Sequence, residues 1–210
     1  MRIRSIFFKS ADTPEPSAHA RKFELAPSAI LLPAIICLFN AWYFIALTIV
    51  AVAVHEFGHA VAVRLGGGTV LHIRISLTGV AMRYDGLSYV GDVLAALSGP
   101  AASIILAVLS ALAGKLFALE AASHLAGLSM ILGVFNLLPA YPLDGGRALF
   151  GAVAQIFGLR PAEYVRFVTL AAVMTAMLCG GVWLMLAAGN PTLIAAAIFL
   201  LCNASNMNLL

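Results

Sequence analysis

The chain has 210 residues, is 62% hydrophobic and only 10% charged, and carries a net charge of +3. Soluble domains hold about 25% charged residues, so this composition, with a mean hydropathy of +1.02, excludes a water-soluble enzyme and indicates an integral membrane protein. It also lacks the basic runs that bind nucleic acid. The three cysteines, Cys37, Cys179 and Cys202, lie in apolar runs without Cys-x-x-Cys spacing, which suits small packing residues rather than a redox or metal site.

Residues 1–24 are polar and mixed in charge, with Pro14 and Pro16 and no long apolar stretch. They read as a cytosolic tail, not a cleaved signal peptide. A first span is expected at about 26–39, short against the roughly 20 apolar residues a bilayer requires. Asn40 and Trp42 mark an interfacial turn. The second span, about 42–65, ends at Gly66-Gly67-Gly68, a helix stop.

The second span holds His55, Glu56 and His59 inside an otherwise apolar run. A charged group at mid-bilayer costs about 2.5–3.5 kcal/mol on insertion scales, so an ionisable cluster there needs a reason. At helical i, i+4 spacing, His55 and His59 point the same way. Two imidazole nitrogens so placed can share one zinc ion, and Glu56 beside them can serve as a base toward water at the metal. Arg64 ends the span about seven residues on, so the cluster lies about 10 Å from one membrane face.

Residues 69–91 change character. Leu71, Ile73, Ile75 and Leu77 alternate with His72, Arg74, Ser76 and Thr78, and Val80, Met82 and Tyr84 continue the pattern after Gly79. Period-two alternation predicts a small β-hairpin or meander at the membrane surface. It is either a plain connector or an edge strand offered to an extended substrate. Further spans follow at about 93–117, 121–138, 165–187 and 192–208. The third includes the small-residue stretch Ser98–Ser103, suited to close helix packing. The stretch 136–147 is broken by Pro139, Pro142, Gly145 and Gly146. A short helix is expected at 148–157 and a polar connector at 160–163. The fold class is thus an all-α polytopic membrane protein of about six transmembrane helices, with a β segment between the second and third.

Six spans put both termini on one side. Every Lys and Arg except Lys115 falls on that side, so it is cytosolic by the positive-inside rule. The histidine site then faces the cytosol. A catalytic zinc commonly has three protein ligands and an open position. Glu120 and His124 lie at the far face, and His72, Asp85 and Asp92 lie in or beside the surface strands. Asp144 follows a span returning to the correct face, on irregular backbone of the kind tolerated at membrane depth only within protein or a water-filled cavity. It is the best candidate for the third ligand, although Asp before Gly-Gly is also an ordinary turn. His72 and His124 read as interfacial histidines.

The two motifs, His55-Glu56-Phe57-Gly58-His59 and Asn136-Leu-Leu-Pro139-Ala-Tyr-Pro-Leu143-Asp144-Gly145, resemble the site-2 protease family of intramembrane zinc metalloproteases over about 41–150. The resemblance implies one zinc per chain held by His55, His59 and Asp144. It implies Glu56 as catalytic base and Asn136 near the substrate. The implied activity is hydrolysis of peptide bonds in or near transmembrane segments of membrane-protein substrates, in a bacterial or archaeal cell membrane. Where the family often has Gly-Pro-x-x-Asn, this chain has Gly99-Pro100 and then Ser103. The sequence has no room for the PDZ or CBS domains of other branches, so residues 25–210 read as a single transmembrane metalloprotease domain, most similar to the compact bacterial and archaeal forms, including the sporulation-type branch. The expected partners are the lipid bilayer and a membrane-protein substrate; a regulator or an oligomer is not specified. A metal transporter and a catalytically silent membrane binding protein are the alternatives.

Overall fold

In the computed structural model the described residues are 22–25, 42–76 and 79–206. The first expected span, 26–39, and nearly all of the N-terminal tail lie outside them. The elements run β1 (Lys22–Leu25), α1 (Trp42–Leu65), β2 (Thr69–Ser76), β3 (Gly79–Asp85), α2 (Tyr89–Phe117), α3 (Glu120–Asn136), α4 (Asp144–Phe157), α5 (Leu159–Ala188) and α6 (Thr192–Asn206).

Segments of three helices, Tyr43–Leu65, Tyr89–Phe117 and Leu159–Ala188, are long and apolar enough to cross a membrane. The second and third have 29 and 30 residues, beyond the roughly 20 a bilayer core requires. α3 has 17 residues and α6 is a shorter apolar helix. Large apolar side chains are exposed on these helices, among them Phe57, Ile105 and Trp183. A hydrocarbon solvent accounts for that distribution, which water would penalise.

α2 is the centre of the bundle and packs against α1, α3 and α4; α4 packs on α5, and α5 on α6. Its buried positions are small: Ala95, Ala96, Gly99, Pro100, Ser103, Ala107, Ser110 and Gly114. They recur every three or four residues and form one stripe, which lets neighbouring backbones approach closely where lipid supplies no hydrophobic drive between helices. Ser88 caps α2 by accepting a hydrogen bond from the Gly91 N–H at 3.2 Å, with Asp92 in the first turn. This cap starts the helix at Tyr89, four residues before the expected 93.

Two other boundaries shift. The expected connector 160–163 is the first turn of α5. Pro161 fits there because the first turn's N–H groups have no intrahelical partner. The short helix begins at Asp144 rather than 148. At the end of α1, Gly67 adopts φ +80, a left-handed conformation that a side chain would disfavour.

The β segment is a three-stranded sheet in the order β1-β2-β3. β2 and β3 pair antiparallel as the alternation suggests, with an irregularity between Val70 and His72. β1 pairs parallel to β2, Lys22 opposite His72 and Leu25 opposite Ile75. β2 is therefore the interior strand. Among the described strands, an edge offered to a substrate is β3 or β1. The sheet meets the bundle at a cluster of Val63, Leu87 and Ala95, with Val70 and Tyr84 packed on it.

Candidate metal centre

α1 carries His55 and His59 one turn apart, and α4 begins at Asp144. The three side chains are buried, at 5%, 9% and 9% exposure. Asp144 Oδ2 lies 3.1 Å from His55 Nε2 and 3.2 Å from His59 Nε2. The two Nε2 atoms are 3.2 Å apart. Ligand atoms at the 2.0–2.1 Å typical of zinc, arranged tetrahedrally, stand about 3.3 Å from each other. The three measured edges match one face of that tetrahedron.

Proton accounting supports the same conclusion. His59 Nδ1 lies 2.7 Å from the Ala95 carbonyl, which can only accept, so Nδ1 carries the hydrogen. In the neutral ring Nε2 is then a lone pair, aimed at a carboxylate oxygen that also only accepts. A shared cation, either a proton on Nε2 or a metal ion, resolves the conflict, and the three near-equal edges favour the metal. His55 Nδ1 contacts Ser103 Oγ at 2.9 Å. Each ring is thus fixed from behind by α2, as in metal sites where the second imidazole nitrogen meets a carbonyl or hydroxyl. His55, His59 and Asp144 fit a zinc ion.

The sequence placed Gly99 and Ser103 in a packing stretch, yet both touch the site. A Cβ on Gly99 would collide with His59 Nε2 and sit 2.7 Å from Cδ2. Pro100 has no N–H for the Ala96 carbonyl, which interrupts the hydrogen-bond ladder of α2 beside the site. Ser98 Oγ donates to the Ala95 carbonyl as well, at 2.6 Å. The departure from the family pattern at 103 was the one signal available in the sequence.

Asp144 is delivered by the break between α3 and α4. Gly145 and Gly146 pack so tightly under the 137–141 loop that a Cβ would strike the Leu137 carbonyl and the Tyr141 nitrogen. The second carboxylate oxygen, Oδ1, accepts from Arg147 Nη1 at 3.2 Å. Arg147 Nη2 donates to Tyr84 Oη at 2.8 Å.

Glu56 follows His55 on α1 and lies within electrostatic reach of His59, His55, Asp144 and Arg147. Asn136 stands at the end of α3 and donates its amide to the Leu132 carbonyl at 3.0 Å; that contact lies within its own helix. His124 meets Tyr43 Oη at 3.3 Å and the Phe44 ring at 5.2 Å. Those residues start α1, about 18 Å of helix from His55. His124 is therefore not part of the metal centre.

Residues 118–179 match the family model Peptidase family M50. A zinc metalloprotease of Methanocaldococcus jannaschii is 31% identical over 118 residues, which cover 53% of this chain and 34% of that protein. The putative zinc metalloprotease Rip3 of Mycobacterium tuberculosis is 33% identical over 153 residues, 62% of this chain and 39% of that protein. The chain thus spans little more than a third of the length of these curated relatives. Among solved structures, the site-2 protease from Methanocaldococcus jannaschii shares the fold, with a TM-score of 0.71 and 24% identity over 88% of this chain and 89% of that one.

Proposed function

We propose, for a chain that resembles the site-2 proteases in motif, sequence and fold, that it is an intramembrane zinc metalloendopeptidase. Its substrates would be membrane proteins cut in or near a transmembrane segment, as in regulated intramembrane proteolysis. The observation that carries this reading is the triangle of His55 Nε2, His59 Nε2 and Asp144 Oδ2, with edges of 3.1–3.2 Å, beside a carboxylate within apolar helices.

His55, His59 and Asp144 would hold one zinc per chain. When bound, zinc supplies Lewis acidity, which polarises a carbonyl and lowers the pKa of water toward about 7. Glu56 takes a proton from the attacking water and later gives it to the leaving amine. The Asn136 amide, freed from Leu132, is in a position along the chain to hold the substrate near the break before Asp144. A transmembrane helix hides its carbonyls in its own hydrogen bonds, so the substrate must unwind. The free edge of β3 offers an unwound segment backbone partners.

Six spans with both termini cytosolic remain the topology we favour, because the Lys and Arg distribution supports it. α3 is short, but it starts at the far face, ends at the depth of the metal site and need not reach the cytosolic surface. A transporter would need successive sites along a path. Among the described residues His55, His59 and Asp144 are the one such group of three.

Purified detergent-solubilised protein should cleave some members of a panel of single-span membrane peptides. Chelation should abolish cleavage and added zinc should restore it. Cleavage indifferent to chelation would overturn the metalloprotease reading.

A further inference from the structure

Arg147 stands within the first turn of α4, where the helix dipole disfavours a cation. Its placement therefore has another reason. The guanidinium is forked between two groups: Nη1 to Asp144 Oδ1 at 3.2 Å and Nη2 to Tyr84 Oη at 2.8 Å. The arginine is 25% exposed and the aspartate 9%. Tyr84 belongs to β3, yet its side chain packs on the Val63, Leu87 and Ala95 cluster where α1, α2 and the sheet meet. Asp92, in the first turn of α2, lies within electrostatic reach of the Tyr84 hydroxyl. The hydroxyl is thus fixed by the core and not by the α4 helix.

We infer that Tyr84 and Arg147 are positioning residues that form a strut between the sheet and the metal centre. The strut commits Asp144 Oδ1 to the guanidinium and leaves Oδ2 alone facing the two histidines. Asp144 would then offer a bound metal one oxygen, Oδ2, with Oδ1 committed to Arg147. A free carboxylate at this point could rotate, or present both oxygens. Two parallel N–H groups on a planar fork suit this task, and a lysine would not reproduce them. The inference rests on the metal site proposed above.

The test uses full-length protein loaded with cobalt in place of zinc, whose visible absorption reports coordination number and geometry. Release of the metal to a chelator is followed on the same samples, and kcat and KM on the zinc form. The variants are Tyr84→Phe, Arg147→Lys and their combination, with Tyr89→Phe as the control. Tyr89 packs beside Phe150 and Ala154 in a different cluster.

Tyr84→Phe should bind one metal, change the cobalt spectrum, speed metal release by about tenfold, the lower end for outer-shell partners of metal ligands, and lower kcat more than KM. Arg147→Lys should do the same, and the double variant should add little, because both act through Asp144 Oδ1. An unchanged spectrum and release rate in Tyr84→Phe, or effects of the two substitutions that multiply, would overturn the strut while leaving the protease reading intact. Wild type that takes up no metal would instead overturn the metal site and the strut with it.

Discussion

Replacing Gly99 with alanine should empty the metal site without weakening the helix that carries it. A Cβ at Gly99 would sit 2.5 Å from His59 Cε1 and 2.7 Å from Cδ2. Non-bonded carbons prefer about 3.5–4.0 Å, so the imidazole must retreat by roughly 1 Å. Behind it, Nδ1 is held by the Ala95 carbonyl at 2.7 Å, so the ring cannot simply slide and keep that bond. Metal–ligand distances are held to within about 0.2 Å, and a misplacement of about 1 Å commonly costs about 10²-fold in rate. The helix itself should gain, because alanine is more favourable than glycine in a helix interior by about 0.8–1.0 kcal/mol. Gly99→Ala should therefore keep its helix content, lose at least about tenfold in zinc affinity by chelator competition, and lose about 10²-fold in peptide cleavage. Gly127→Ala, where nothing lies within 4 Å of the added carbon, should match wild type in all three. A Gly99→Ala protein with wild-type zinc affinity and cleavage would refute the close approach of α1 and α2 at the site.

Ser103→Ala should remove the oxygen 2.9 Å behind His55 Nδ1 and raise the zinc dissociation constant by about 10-fold or more; Ser103→Asn, which restores a polar atom, should recover part of it, as chelator titration will report. Single prolines at Ala81 and Met82 of β3 probe the free sheet edge. Successive N–H groups point to opposite sides of a strand, so one of the two should lower cleavage while leaving zinc and folding intact. Full cleavage by both would count against substrate pairing there. Orientation can be read from Ser17→Cys, Leu119→Cys and Asn208→Cys, each in a cysteine-free background. An impermeant thiol reagent added outside intact cells should reach only position 119.

The motif on α1 was legible because two histidines and a glutamate are costly in an apolar run unless they bind something there, and helical spacing alone brings His55 beside His59. Asp144 was legible through depth, since the chain must return to the cytosolic face before it. The residues behind the histidines were not. Ser103 and Gly99 contact the site only because α2 crosses α1 at that turn, a tertiary fact with no local pattern. β1 escaped for a similar reason. Lys22–Leu25 is too short to show alternation, and its partner β2 lies some fifty residues on. With β1 paired on one side and β3 on the other, β2 is interior and the described edges are β1 and β3. Polarity misled at 160–163, where Arg160, Pro161 and Glu163 suggest a loop but suit a helix's first turn; Glu163 then pairs with Arg166 at 2.7 Å along α5.

The most direct measurement is peptide cleavage and zinc content on wild type and Glu56→Gln, purified side by side. Glutamine preserves the size of the side chain and removes its basicity, leaving His55, His59 and Asp144 untouched. About one zinc per chain in both proteins, with cleavage by wild type and a loss of about 10²–10⁴-fold in the variant, is the expected result. Equal cleavage by both proteins would contradict the role assigned to Glu56, and wild type without zinc would contradict the metal centre itself.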